Sequence, residues 1–362
     1  MPVFFIVIFS VYFSGNLYVF YRGWQAISGL PIGLKITLAI LYWLAMLSFL
    51  LLIKRDGSIP ATLGHYLHQV GTGWLVFTLY MVICLLVIDF LKLFHLQYAY
   101  SFFIAFGLVA CVLIYGFIHY KHPKITQLDI HIDKPIDSPD KQLKVVAVSD
   151  VHIGYGTDKP ALKKYVDLIN AQQPDLILIA GDLIDNSIAP LRQQRLDEEL
   201  SQLKAPLGIY MAAGNHEYIS DMQGSIDFLA NTPIHLLQDS AVTLPNRLQI
   251  IGRDDRSNSR RLPVSELMQK ANSEWPSILL DHQPMELEKT AAAGVDLQIS
   301  GHTHAGQVWP ITLVTKRMFE LSYGYLKKGN SHFYTSSGLS LWGPPFRICS
   351  SSEMVVFNLT FK

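Results

Sequence analysis

Four apolar runs occupy the first 120 residues, roughly Val3–Tyr21, Leu34–Ile53, Thr72–Leu91 and Tyr98–Tyr120. Each approaches the ~20 residues that cross ~30 Å of hydrocarbon at 1.5 Å per residue, so the pattern predicts four membrane-spanning helices. A cleaved signal peptide is the rival reading of the first run. It fits poorly, because no basic stretch leads into the run and three more come after it. Tyr18, Tyr21, Trp24, Trp74, Tyr98, Tyr100 and Tyr120 gather near the run ends, as an interfacial aromatic belt requires. Four spans return the rest of the chain to the N-terminal side. There Lys54, Arg55, Lys121 and Lys124 outnumber Arg22, Lys35 and Lys92 on the other side, which favours a cytoplasmic C-terminal domain in the inner or cell membrane.

After Tyr120 the pattern changes. Pro123 stops the last helix, and Leu128–Asp133 alternates apolar and polar positions like a half-buried strand. From Leu143 short apolar runs alternate with polar loops: Lys144–Val148, Leu176–Ala180, Ile209–Ala212, Leu248–Ile251, Ile278–Leu280 and Leu297–Ile299. Between the first two, Pro160–Gln172 places Leu162, Tyr165, Val166 and Ile169 on one helical face. The organisation is α/β, with a transmembrane domain at 1–120, a linker and entry strand at 121–142, and the soluble domain at 143–362.

Charge sharpens this division. The chain has 29 basic and 29 acidic residues, yet residues 1–120 hold only Arg22, Lys35, Lys54, Arg55, Lys92, Asp56 and Asp89. No basic excess points to nucleic acid. Cys84 and Cys111 sit in apolar runs, and with Cys349 they form no disulfide or cysteine–zinc spacing. Asp89 with Lys92 is read as an i,i+3 pair at a helix end. His65 and His68 are placed in a polar loop before the third span. The spans carry almost no buried polar residue, which disfavours a transport path.

The candidate chemistry sits in the loops that leave the strands. Ser149-Asp-Val-His-Ile-Gly154, Gly181-Asp-Leu-Ile-Asp185, Gly214-Asn-His-Glu217, Asp281-His-Gln-Pro284 and Gly301-His-Thr-His-Ala-Gly-Gln307 each come after an apolar run. Strand carboxyl ends are where α/β proteins build sites. Each motif alone is weak, since a single histidine is more often a satisfied imidazole than a ligand. Five in series bring together Asp150, His152, Asp182, Asn215, His282, His302 and His304. Phosphate-ester hydrolysis needs a hydroxide at neutral pH and countercharge for the phosphoryl oxygens. Two divalent cations ~3.5–4 Å apart supply both, and a carboxylate such as Asp182 can span them. Imidazoles mixed with carboxylate and amide oxygen suit Mn, Fe or Zn rather than Ca.

This series resembles the calcineurin-like metallophosphoesterase superfamily over roughly residues 143–358. The resemblance implies two β-sheets sandwiched between helices. It implies one metal on Asp150, His152, Asp182 and His304, and a second on Asp182, Asn215, His282 and His302. It makes His216 the catalytic residue over the substrate rather than a ligand. Pro174–Leu178, Gly301–Gln307 and Ser337-Gly-Leu339 further resemble the membrane-tethered branch that includes UDP-2,3-diacylglucosamine hydrolases.

The expected protein is a four-span membrane-anchored phosphoesterase that hydrolyses a phosphodiester or pyrophosphate bond by metal-activated hydroxide. Its substrate is a phosphorylated small molecule or a lipid-linked or nucleotide-linked species, and its other partner is the bilayer. The alternative is a metal-stabilised membrane sensor with little turnover, which would not need His216. Arg253, Arg256, Arg260 and Arg261 are read as either a phosphate grip or a solvated loop. Tyr155, Tyr218 and Arg347 are placed at the pocket rim, and Trp309–Tyr325 is expected to pack on the sheet, with membrane or acyl-chain contact as its other role. Asp281 and Glu217 are expected to orient neighbouring histidines.

Overall fold

The computed structural model describes residues 2–53, 58–95 and 100–362. Lys54, Arg55 and Tyr98, which bear on orientation and the aromatic belt, lie outside the described residues. Contacts divide the chain into two compact units, one containing the N-terminal helices and Gly343–Phe346, the other His119–Trp342 and Arg347–Lys362.

In the first unit the four apolar runs form α1 (Pro2–Ala26), α2 (Ile32–Leu47), α3 (Ala61–Lys92) and α4 (Ser101–Tyr120). Among the described residues two of these, α3 and α4, are long and apolar enough to cross a membrane, whereas α2 has only 16 residues before a 3₁₀ turn at Ser48–Ile53. Of the four expected spans, these two meet that length and composition among the described residues. His65 and His68 lie inside α3 rather than in a loop, because no proline interrupts the chain between Ala61 and Lys92.

The expectation that these helices bury almost no polar side chain also fails. Asn16 is fully buried, and its Oδ1 accepts hydrogen bonds from Tyr42 Oη, Trp74 Nε1 and Thr78 Oγ1 at 3.0–3.1 Å. An unpaired amide there would be costly, and three donors remove that cost. Asp89 pairs with Lys92 as expected, at 2.9 Å, and also with Arg22 of α1 at 2.5 Å.

The second unit is built on two six-stranded sheets. In chain order the strands are β1 (Lys124–Ile132), β2 (Gln142–Val148), β3 (Leu176–Ala180), β4 (Ile209–Ala212), β5 (Ile234–Leu237), β6 (Ser240–Thr243), β7 (Gln249–Gly252), β8 (Ser277–Leu280), β9 (Leu297–Ser300), β10 (Gly324–Lys328), β11 (Ser331–Thr335) and β12 (Glu353–Phe361). The sheet orders are β1-β12-β2-β3-β4-β5 and β10-β11-β9-β8-β7-β6. The stretch expected to be a linker strand is therefore an edge strand, held in parallel register against β12 from Lys124↔Glu353 to Ile132↔Phe361. β12 in turn runs antiparallel to β2.

Strands β2–β5 are mutually parallel, as are β7, β8, β9 and β11. Most of their residues are buried because both sheet faces are covered, and the central β3 is wholly apolar. Val145, Leu178 and Ala212 of one sheet meet Ile250, Leu280 and Ile299 of the other in a core between the sheets. The opposite face of the first sheet packs Val146 and Ile179 against helix α5 (Lys159–Asn170). Asp158 caps α5 by accepting from Ala161 N at 3.1 Å, Pro160 fits its first turn, and the four predicted apolar residues form its buried face.

Candidate active site

The loops after β2, β3 and β4 come from one sheet, and those after β8 and β9 from the other. The loops after β2 and β3 run alongside one another, with Asp150 N donating to Gly181 O at 3.1 Å and His152 N to Asp182 O at 3.1 Å. The sheets are tied together by His282, whose Nδ1 lies 2.8 Å from Ala180 O.

The structure brings together all seven residues proposed as ligands. Asp150, His152 and His304 form one set able to hold a cation, and Asp182, His282 and His302 form another. Asp182 Oδ2 lies 3.1 Å from His282 Nε2 and 3.8 Å from His152 Nε2, placing this carboxylate between the sets. Asn215 joins the second set, its Oδ1 2.9 Å from His302 Nδ1. His152 Nε2 and His304 Nε2 face each other at 3.2 Å, and His282 Nε2 is buried without a hydrogen-bond partner. Convergent imidazole nitrogens with buried carboxylates fit two divalent cations, which would take the lone pairs of His282 Nε2 and of the facing His152 and His304 Nε2.

Electrostatics divide the imidazoles: burial opposes a proton on His282, but the adjacent Asp182 carboxylate outweighs it and raises its basicity, whereas His304 and His302 are lowered. Burial lowers the basicity of His304, and neighbouring His152 lowers it further; burial and His282 act likewise on His302. Both imidazoles are held neutral, the form that ligates. Burial alone would push the Asp182 carboxyl up, but the His282 imidazole outweighs it and keeps the acid ionised.

Five of the seven residues adopt left-handed backbone: Asp150 (φ 51°), His152 (φ 47°), Asp182 (φ 51°), His302 (φ 70°) and His304 (φ 49°). Such conformations cost about 1–3 kcal/mol each and persist where surrounding contacts over-determine them. Glu217 provides that restraint at Asp182. Fully buried, its carboxylate accepts from Asp182 N, Ile184 N and Gly214 N at 2.7–3.0 Å. Glu217 thus orients the backbone of the ligand loops, not a histidine as expected. Asp281 does not orient a histidine either; it is 1% exposed and pairs with Arg253 at 3.0 Å and Arg261 at 3.3 Å. That use of Arg253 and Arg261 as structural partners leaves Arg256 and Arg260 as the exposed arginines of the loop.

His216 sits beside the sets, its ring 4.6 Å from that of His152. Its backbone N donates to Asp182 Oδ1 at 2.8 Å, and its Nδ1 lies 3.4 Å from Asp185 Oδ1. Asp185 also lies 3.4 Å from His152 Nδ1. Burial would lower the basicity of His216, but Asp185, with Asp182, overcomes it and raises the imidazole to about 9. Sequence reasoning does not single out Asp185 as a site residue, although its place three positions after Asp182 in Gly181–Asp185 is an available signal.

Arg347 is not a rim residue. It is 0% exposed, and its guanidinium donates to His304 O at 2.7 Å, to Ser337 O and to Ser340 O at 2.7 Å. Tyr218 gives its hydroxyl to Asp254 at 2.7–2.8 Å. The rim is apolar instead. Trp342 lies 6.0 Å from the His216 ring and Phe319 6.0 Å from His302. In Trp309–Tyr325 only Leu321 among the large apolar side chains packs into the core, while Ile311, Leu313, Val314 and Met318 are 46–67% exposed. The expectation that this segment packs on the sheet is corrected: the helix Ile311–Met318 turns its apolar side chains outward.

Known proteins share these motifs. The calcineurin-like phosphoesterase family model matches residues 143–306, and an uncharacterised metallophosphoesterase of Campylobacter jejuni is 32% identical over 258 residues, covering 69% of this chain and 67% of that one. The chain belongs to the calcineurin-like phosphoesterase family. An uncharacterised metallophosphoesterase of Helicobacter pylori strain J99 is 32% identical, over 66% of this chain and 65% of its own length. A Danio rerio transmembrane protein with a metallophosphoesterase domain is 31% identical, over 72% of this chain and 62% of its own length. The chain thus spans slightly less than two thirds of these last two relatives.

Proposed function

We propose that the protein is a membrane-anchored phosphoesterase with a dinuclear metal site, acting on a phosphodiester or pyrophosphate bond of a lipid-linked or nucleotide-linked substrate such as UDP-2,3-diacylglucosamine. The observation that carries this reading is the convergence of Asp150, His152 and His304 with Asp182, His282 and His302, the Asp182 carboxylate lying 3.8 Å from His152 and 3.1 Å from His282 and His216 standing at their side. Asp150, His152, Asp182 and His304 would hold one cation, and Asp182, Asn215, His282 and His302 the other. Two divalent cations, Mn, Fe or Zn, supply countercharge to the phosphoryl oxygens and acidify the attacking water. His216, protonated through Asp185, hydrogen-bonds the phosphoryl group or gives its proton to the leaving oxygen. A sensor would not need that proton, so His216 favours an enzyme.

The anchoring part rests on α3 and α4, with α1 and α2 completing four spans and the catalytic domain cytoplasmic. The lipid-linked part is supported by the apolar rim, since an acyl-bearing substrate would cover side chains that are otherwise exposed. Full-length protein purified in detergent and supplied with Mn²⁺ should hydrolyse a chromogenic phosphodiester, and Asp182→Asn should abolish the rate. Turnover indifferent to chelation and to that substitution would refute the mechanism. Lipids accumulating in cells that carry Asp182→Asn, identified by mass, would name the substrate.

A further inference from the structure

Helices α1–α4 line a partly open cavity of about 460 Å³ that no part of the phosphoesterase chemistry uses. All four helices line it, with Phe20 from α1, Tyr42 from α2, Trp74 and Phe77 from α3, and Phe102 and Phe106 from α4. Its volume lies within the range of small-molecule sites, and such sites form between the helices of bundles.

The polar atoms of the wall point away. Tyr42 Oη and Trp74 Nε1 both spend their hydrogen bonds on Asn16, at 3.0 Å, so the rings present apolar faces inward. An apolar cavity of this kind takes hydrocarbon rather than water. If a methylene occupies about the ~30 Å³ of a water molecule, the volume holds on the order of fifteen, close to one alkyl chain and well short of two.

One lining residue is charged. Lys35 is half-buried, with its Nζ 4.1 Å from the centre of the Trp24 ring. Among the described residues of α1–α4 the acidic side chain is Asp89, which is engaged with Arg22 and Lys92. Lys35 therefore offers its charge to a partner from outside the bundle, and an ammonium at the lip of a hydrocarbon slot selects an anionic head.

We infer that this cavity is a binding site for a single-chain amphiphile with an anionic head group, its alkyl chain among the aromatic side chains and its head on Lys35. The inference stands independently of the proposed phosphoesterase activity.

The test uses full-length protein in a non-ionic detergent, with oleoyl lysophosphatidate as probe and monooleoylglycerol as its neutral counterpart, bound complexes being counted by native mass spectrometry. One saturable lysophosphatidate per chain is expected. Lys35→Glu should weaken it about tenfold, the worth of one partly desolvated charge pair, and leave the weaker binding of the neutral probe unchanged. Ala39→Trp, which fills the cavity, should remove both probes while helicity by circular dichroism and phosphodiester hydrolysis persist. If Ala39→Trp loses helicity, Lys35→Glu, a change at the lip, decides alone. Equal affinity for both probes, uptake of many copies without saturation, or indifference to Lys35→Glu would overturn the assignment.

Discussion

Gly214→Ala isolates the effect of placing a single methyl group against Asp182, the proposed shared ligand. Gly214 has φ −105° and ψ −174°, extended backbone that alanine adopts freely, so the substitution carries no conformational penalty of its own. A Cβ there would lie 2.2 Å from Asp182 Oδ1, 2.6 Å from Asp182 N and 2.9 Å from Asp182 Cγ. Ordinary carbon contacts need 3.4 Å or more, so the carboxylate must retreat by roughly 1 Å. It cannot do so by moving the loop as a body, because Asp182 N and Gly214 N are both bound to the buried Glu217 carboxylate. The displacement falls on the one carboxylate between both ligand sets, and it breaks the His216 N–Asp182 Oδ1 bond. A misplacement of about 1 Å costs on the order of 10²-fold in rate, and overpacking should take about 1–3 kcal/mol from stability. Measuring kcat/KM on a chromogenic phosphodiester, bound metal by mass spectrometry and Tm separates the effects. Gly329→Ala is the control: its Cβ meets nothing within 4 Å, so it tests the cost of φ +57° alone, ~1–2 kcal/mol, with activity intact. Gly214→Ala protein with wild-type metal content and kcat/KM within about threefold of wild type would refute the argument that glycine is required for this approach.

Other consequences are open to measurement. Asp185→Asn removes a carboxylate that holds the His216 proton, so the imidazolium loses its proton at lower pH. If His216 acts as the acid, activity falls as pH rises through its pKa, and the alkaline limb of kcat/KM should move down by about one unit or more; an unmoved limb would exclude this role. Asp281→Asn leaves the buried Arg253 with only Glu286, at 3.5 Å, and takes the shared anion from the partly buried Arg261, which should cost about 3 kcal/mol in a denaturant titration. Leu313→Ser with Val314→Ser should slow hydrolysis of a long-chain amphiphilic substrate several-fold while sparing a soluble chromogenic one, and an equal loss on both would show that the helix Ile311–Met318 serves the fold instead.

The candidate ligand set was legible because each member lies just beyond a short apolar run, so local sequence carried both the strand and its loop. Asp150, His152, Asp182, Asn215, His282, His302 and His304 needed no knowledge of strand order to be found. What stayed hidden depends on contacts between distant segments. Arg347 reads as a pocket-rim residue in sequence, and only the approach of carbonyls from residues 304, 337 and 340 reveals it as an anchor between two loops. Asn16 is a single amide in an apolar run, and its role appears when Tyr42, Trp74 and Thr78 arrive from two other helices. Trp309–Tyr325 misled because an apolar segment normally signals core, and sequence does not show which of its side chains face outward.

The position of β12 has a consequence for how the protein is made. β12 comes after every other strand in the chain, yet it lies between β1 and β2 and hydrogen-bonds to both. During synthesis the first sheet is left with a gap between β1 and β2, two unpaired edges of the kind that recruit foreign strands. Those edges, bordering the loop that carries Asp150 and His152, stay open until Glu353–Phe361 has left the ribosome. The first sheet therefore closes only once its last strand has been made. A nascent chain stalled before β12 should thus be protease-sensitive across β1 and β2 and captured by chaperones, while the parallel block β7–β9 with β11, complete by Thr335, is already able to form.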